Sequence, residues 1–343
     1  MQSWLGDGVA NPTADESSRW LTYKSRGSDA QLPAVQRFIA QRAPEARAVA
    51  DGGTPLELTA PASEKAHTVS ASVLEGTTVR AHRILGPIDA GFVAFLDGAQ
   101  NSRIVAYDRG VPLVLGTVAA IIRERRNRRL VTWGHERETA LYVPRTHVAP
   151  ALWEEDAGFR LIDTCAQNAG GPVGSAHPAA LAERAYSVVR NRRDLLETRL
   201  AERWCGVDSR PLFVDGSISG SPRVGTATAV AGVVKSHRVL YVEGDAMGIV
   251  LGLRRGERSS MLRITPKWAT VATWYLRIRD TDGHDPLWGL VRVEIAESLA
   301  TPERADEISR WILAEASPLA MPDARWDTMV YGIRNCEETL RAV

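Results

Sequence analysis

The chain has 343 residues, of which 44% are hydrophobic and 24% charged, with a formal net charge of +1. That composition is ordinary for a soluble globular protein, and the length allows one large domain or two modest ones without a metal or disulfide merely to fold. The near-neutral balance gives no global pull toward nucleic acid. The three cysteines, Cys165, Cys205 and Cys336, have no close pair, which excludes a disulfide framework and a zinc-ligand spacing and predicts buried free thiols.

The longest apolar stretches stay under the roughly 20 residues that span a bilayer. The start, Met1-Gln2-Ser3-Trp4-Leu5-Gly6-Asp7, lacks the basic-then-apolar pattern of a signal peptide, so no membrane segment and a cytoplasmic location are expected. Charge is uneven: Arg123-Glu124-Arg125-Arg126-Asn127-Arg128-Arg129 and Arg190-Asn191-Arg192-Arg193 are dense basic clusters. They could neutralise phosphates, and a solvated hairpin or helix face explains them equally well.

Residues 1–65 read as a helical N-terminal extension, with a helix-period face of Val35, Phe38, Ile39 and Ala43 inside residues 32–50. From His67 the pattern changes to strands. Gly91-Phe92-Val93-Ala94-Phe95-Leu96 is a short apolar run expected as a buried central strand, ending on Asp97-Gly98. Strand-like runs at residues 103–107 and 111–122, with Asp108-Arg109-Gly110 as the turn between them, predict an antiparallel meander. Residues 163–179 read as a loop. A long helix over residues 177–204 follows, with Leu181, Ala185, Val188, Val189, Leu195, Leu196 and Leu200 on its apolar face. Leu212-Phe213-Val214 is a second buried strand, again ending on Asp215-Gly216. Strands near residues 227–234, 238–242, 274–279 and 289–295 and helices near 301–316 and 333–341 complete the order. The pattern predicts a mixed sheet with helices packed on it, so α/β or α+β, the domain proper running over residues 66–343.

Metal-assisted phosphodiester cleavage needs crowded carboxylates, because two divalent ions about 4 Å apart must be held by oxygen ligands. Asp97 and Asp215 each close an apolar strand and precede a glycine that lets the backbone turn and leaves the carboxylate exposed. The helix between them carries Glu197 and Glu202, which are about 140° apart around the helix, so only one of them can face the same ion. An Asp-Gly pair after a strand is also a common turn, with Asp capping its own backbone. Lys235 is placed either to touch a phosphate or to snorkel from a strand edge. Arg292 and Glu294 share one face of a strand and read as a structural pair. His237 and His284 read as surface residues. Trp133, Trp268, Trp274 and Trp288 read as core residues, with base stacking by one near the site as the alternative.

With these motifs in order, the chain resembles the NurA nuclease family, whose core is similar to RNase H. The family's first motif, a strand ending Asp-Gly-Ser, matches Phe95-Leu96-Asp97-Gly98-Ala99. A helical Glu before a strand ending Asp-Gly-Ser-Leu matches Glu197 and Leu212-Phe213-Val214-Asp215-Gly216-Ser217-Ile218. The later strands match Gly232-Val233-Val234-Lys235, Trp274-Tyr275-Leu276-Arg277-Ile278 and Val291-Arg292-Val293-Glu294-Ile295. The C-terminal motifs match Asp323-Ala324-Arg325, Tyr331-Gly332-Ile333 and Glu337-Glu338-Thr339-Leu340-Arg341. Ala99 replaces the usual Ser, and the histidine that archaeal members place near the last helix has no counterpart.

The resemblance implies an α/β fold with an RNase H-like mixed sheet flanked by helices. It further implies a divalent-metal-dependent DNA nuclease, an exonuclease with single-strand endonuclease activity, using Mn2+ or Mg2+ in a two-metal site. Asp97, Glu197, Asp215 and Asp323 would be the metal ligands, and Lys235 would join them in catalysis. A homodimer docked on a hexameric HerA-type ATPase is the implied assembly, serving DNA end processing, repair or defence against phage. The alternative is a catalytically inactive NurA-like adaptor or regulatory subunit of that ATPase.

Overall fold

The computed structural model describes residues 31–49, 65–154, 159–166, 177–281, 283–316 and 330–342. In chain order the elements begin with helix α1 (Leu32–Arg42) and four short strands, β1 (Arg47–Ala48), β2 (His67–Thr68), β3 (Ser72–Val73) and β4 (Ala81–Arg83). Three long strands follow: β5 (Ala94–Asp108), β6 (Val111–Arg126) and β7 (Arg129–Val143). After β8 (Leu161–Asp163) comes the 30-residue helix α2 (Pro178–Val207), then β9 (Leu212–Asp215), the single turn α3 (Pro222–Gly225) and β10 (Val230–Val234). The rest is β11 (Val239–Leu240), α4 (Gly244–Leu251), β12 (Glu257–Ser259), β13 (Leu262–Ile264), β14 (Val271–Arg277), β15 (Leu290–Ala296), α5 (Pro302–Glu315) and α6 (Tyr331–Ala342).

Thirteen of the described strands form one mixed sheet, whose main path is β3-β13-β14-β15-β10-β9-β5-β6-β7-β8. At its centre β5, β9 and β10 run parallel, while β6 and β7 extend β5 as an antiparallel meander and β15 and β14 extend β10 antiparallel. The fold is therefore α/β, one of the two classes that the order of sequence patterns allowed, with a large mixed sheet flanked by helices. The meander closes on two-residue turns, Arg109-Gly110 and Asn127-Arg128, all four residues at positive φ, the conformation that matches strand twist in tight hairpins.

Helices cover both faces because strand side chains alternate between them. On one face Leu96, Val114, Val118 and Val214 pack against Val189, Leu196, Leu200 and Trp204 of α2. On the other, Phe95, Phe213 and Val293 pack against Trp311 and Ile312 of α5 and Ile333 and Cys336 of α6. The apolar face of α2 differs from the expected one: Leu195 is 37% exposed, and Ala182, Ala201 and Trp204 are buried as well as the other residues expected. The helix of the N-terminal extension stops at Arg42, and Arg47–Ala48 pairs with the far end of β5. Val35, Phe38 and Ile39 of α1 are buried against Val105, Leu113 and Leu141 of the meander.

Candidate carboxylate site

The two Asp-Gly pairs have different structural causes. At Asp215-Gly216 the strand does end: Gly216 has φ +133°, a region that favours glycine, and its N–H donates to Val233 O at 3.0 Å. The loop beyond is pinned by Glu294, which is fully buried on β15. Its Oε2 accepts from Ser217 Oγ at 2.8 Å and Ile218 N at 2.9 Å, and its Oε1 pairs with Arg292 at 2.5 Å. Arg292 and Glu294 are thus the structural pair expected, with the added task of holding the turn after Asp215.

Asp97-Gly98 is not a strand end, contrary to the sequence expectation. β5 runs straight through it, with Asp97 opposite Ile121 and Gly98 opposite Ala120. The polar stretch Ala99-Gln100-Asn101-Ser102 stays extended because the apolar run of β6 pairs with it along its whole length. Gly98 has another function. A Cβ there would lie 2.0 Å from Glu197 Oε1 and 2.7 Å from its carboxyl carbon, so the missing side chain is the space that Glu197 fills.

Parallel pairing of Leu96 with Val214 places Asp97 and Asp215 one step further on at the same level of adjacent strands, about 4.8 Å apart in the sheet. Alternation sends both to the side of Phe95 and Phe213, whereas Glu197 lies on the α2 side of the sheet, over Gly98. Lys235 follows β10 and donates from Nζ to Asp215 Oδ2 at 2.9 Å. Asp97 Oδ1 accepts from Gly98 N at 2.8 Å. Glu197 is approached by Arg193 Nε at 3.2 Å, one turn earlier on α2.

Electrostatics mark these groups out. Burial pushes the Asp97 carboxyl well above its usual range. The charge of Asp215 adds to this, that of Lys235 opposes it, and Glu197 and Glu337 raise it further. Burial likewise pushes Glu197 up to about 8, against the pull of Arg193 and with help from Asp194 and Asp215. Crowded like charges of this kind are frequent at functional sites.

Glu202 accepts from Ser221 Oγ at 2.6 Å and so caps the approach to α3 rather than joining the cluster. Asp323 lies outside the described residues. A further carboxylate acts on Asp97: Glu337, near the middle of α6 and within the Glu-x-x-Leu-Arg motif. Arg193 had been counted only as part of a basic cluster, although its spacing of four residues from Glu197 placed it on the same helix face.

A cleft of about 360 Å³ opens beside the cluster, lined by Arg193, Glu197, Asp215, Ser217 and Lys267 among others. The all-carboxylate donor set suits a hard cation such as Mg2+ or Mn2+, and a cation would offset the burial and like-charge effects that raise Asp97 and Glu197. The arrangement stops short of a closed coordination shell: among the described residues no three His, Cys, Asp or Glu side chains are gathered into a group that could hold an ion. Arg193 and Lys235 occupy two of the carboxylates instead.

Several arginines of the basic clusters are ion-paired with neighbouring carboxylates. Arg125 pairs with Glu315 at 2.8 Å, Arg126 with Glu124 at 2.6 Å and Arg192 with Glu138 at 2.7 Å. Arg277, in the Tyr-x-Arg motif, is fully buried and donates to the carbonyls of Leu251, Leu253, Pro286 and Trp288, a structural role.

Two surface expectations are corrected. Trp268, expected in the core, is 79% exposed. His237, expected at the surface, is half-buried beside Tyr275, with Nε2 2.8 Å from Leu290 O. Trp274 is fully buried, Trp133 and Trp288 are half-buried, and His284 is exposed with its ring stacked on Trp288. The cysteines are free; Cys336 is buried as expected, whereas Cys165 and Cys205 are only half-buried. No helix among the described residues is long and apolar enough to cross a membrane.

No family model matches the sequence, and no curated protein matches it. Among solved structures the chain is similar to the NurA nuclease from Sulfolobus solfataricus, with 10% identity and a TM-score of 0.42 over 79% of this chain and 81% of that one.

Proposed function

We propose that the chain is a divalent-metal-dependent deoxyribonuclease, with Asp97, Glu197 and Asp215 as the residues that would hold the ion and Asp323 as a further candidate ligand. The observation that carries this is the placement of Asp97 and Asp215 at one level of adjacent parallel strands, with Glu197 seated over Gly98 from the other face. A bound Mn2+ or Mg2+ would supply Lewis-acid activation of water and of a phosphodiester oxygen. Lys235 Nζ, 2.9 Å from Asp215, is free to exchange that carboxylate for a phosphate oxygen when an ion takes up the carboxylate charge. Lys267 and Arg193 line the cleft and offer further cationic contacts to a phosphate backbone. Glu294 fixes the turn that presents Asp215.

The resemblance extends the proposal to a homodimer working with a hexameric HerA-type ATPase in DNA end processing or phage defence. The net charge of +1 is in keeping with a nuclease whose partner holds the DNA.

Cleavage of linear duplex and single-stranded DNA in Mn2+, with and without a cognate translocase, tests the proposal. Wild type should cleave, and Asp215→Asn should be slower by about a hundredfold or more. One observation favours a second function, that of an inactive adaptor subunit: Asp215 and Glu197 are already ion-paired to Lys235 and Arg193. Equal inertness of wild type and Asp215→Asn with the translocase present would overturn the nuclease and leave the adaptor.

A further inference from the structure

Between β13 and β14 the chain turns a corner at Lys267-Trp268-Ala269, and its order comes from the backbone. Trp268 N and Ala269 N both donate to Ser219 O, at 2.9 and 3.1 Å, which ties the corner to the loop that follows Asp215. Ala269 is buried, and a Cβ on Gly225 would lie 2.4 Å from its methyl group, so the corner is wedged against α3. The indole of Trp268 takes no part in this anchoring and is 79% exposed, the most exposed of the large apolar side chains among the described residues.

Its neighbour Lys267 lines the carboxylate cleft, and its charge reaches Glu197. A Cβ on Gly220 would lie 3.9 Å from Lys267 Cδ and 4.0 Å from Thr198 Oγ1 on α2, so the corner and the helix converge over that loop. An exposed aromatic ring on a backbone-anchored corner, next in sequence to a cleft-lining cation, is a combination suited to unpaired nucleotides: the cation meets the phosphate and the ring stacks on the base. Bases inside a duplex are already stacked and offer no free face to such a ring.

Resting on the nuclease proposal, we infer that the Lys267-Trp268 corner is a single-strand platform, which seats an unpaired nucleotide beside the carboxylates and makes the site prefer frayed or single-stranded ends.

The test uses fluorescence anisotropy of a labelled oligodeoxythymidylate and of a labelled blunt duplex, in EDTA so that neither is cleaved. Trp268→Ala should weaken oligodeoxythymidylate binding by about tenfold, and Trp268→Phe should retain most of it. Duplex affinity should change far less in both variants. Lys267→Ala should weaken both ligands and reduce the salt slope by about 1. Trp268→Ala binding the oligonucleotide as wild type does, losing both ligands equally, or a wild type that binds no oligonucleotide, would each overturn the platform. Mn2+-dependent cleavage by wild type, measured separately, decides the nuclease function, so the two failures are distinct. Because the indole is exposed, an unchanged melting temperature is expected for both Trp268 variants.

Discussion

Gly98 and Gly216 follow aspartates in the same dipeptide, yet one makes room and the other makes a turn. The turn at Gly216 was legible in the sequence, since it closes an apolar strand with a positive-φ glycine. The role of Gly98 was not, because it depends on Glu197, 99 positions away, and on pairing with β6. Gly98→Ala therefore separates the two. The added methyl must push aside the end of a flexible side chain, so stability should fall by only about 1 kcal/mol, while metal-dependent cleavage should drop by about tenfold or more. A variant that cleaves at the wild-type rate would show that Glu197 need not sit there. The Glu197 carboxyl, raised from 4.5 to about 8 mainly by burial, gives a second residue-scale prediction. An acid whose value is raised in the folded protein favours folding while protonated. Its contribution is complete below about 4.5 and is lost as pH rises toward about 8. Thermal unfolding of the metal-free protein should show stability declining over that window, and Glu197→Gln should flatten the decline. Some slope should persist, because Asp97 is raised in the same direction. Parallel profiles for the two proteins would contradict this.

At the scale of elements, the site is the crossing of α2, the β5–β9 pair and the turn held by β15. The helix and both buried strands were readable from periodicity and from apolar runs. The full length of β5 was not, since Ala99-Gln100-Asn101-Ser102 has no strand character of its own and is extended only by its partner. Helix α4 and strands β12 and β13 went unforeseen, being short pieces whose apolar residues serve the edge of the sheet. Arg292 and Glu294 were legible as a pair by alternation, but not as the clamp on Ser217 and Ile218. Glu294→Ala would leave the Arg292 guanidinium buried without its carboxylate and free the turn after Asp215. The expected cost is about 3–5 kcal/mol by chemical denaturation. The double variant Arg292→Met/Glu294→Leu should recover much of the stability without restoring the pinned turn. A loss under about 1 kcal/mol for the single variant would mean that Glu294 carries no such load.

Across the described residues, the large sheet separates two helical layers, and the candidate site lies at Gly98, where no side chain stands between the strand and Glu197. That explains how carboxylates from opposite faces can influence one another without forming a ready coordination shell. The order of meander, helix, strand and further strands was enough to foresee a mixed sheet with helices packed on it, but not to choose between α/β and α+β. It could not show that Asp97 and Glu197 sit on different faces, since facing is fixed by register with distant strands. Binding of Mn2+ to the purified full chain, followed by loss of the free-ion electron paramagnetic resonance signal, tests the central claim most directly. Wild type should bind Mn2+, and Asp97→Asn and Asp215→Asn should each weaken that binding by at least about tenfold. Binding that is unchanged in both variants, or no binding by wild type, would contradict a metal site built on these two aspartates.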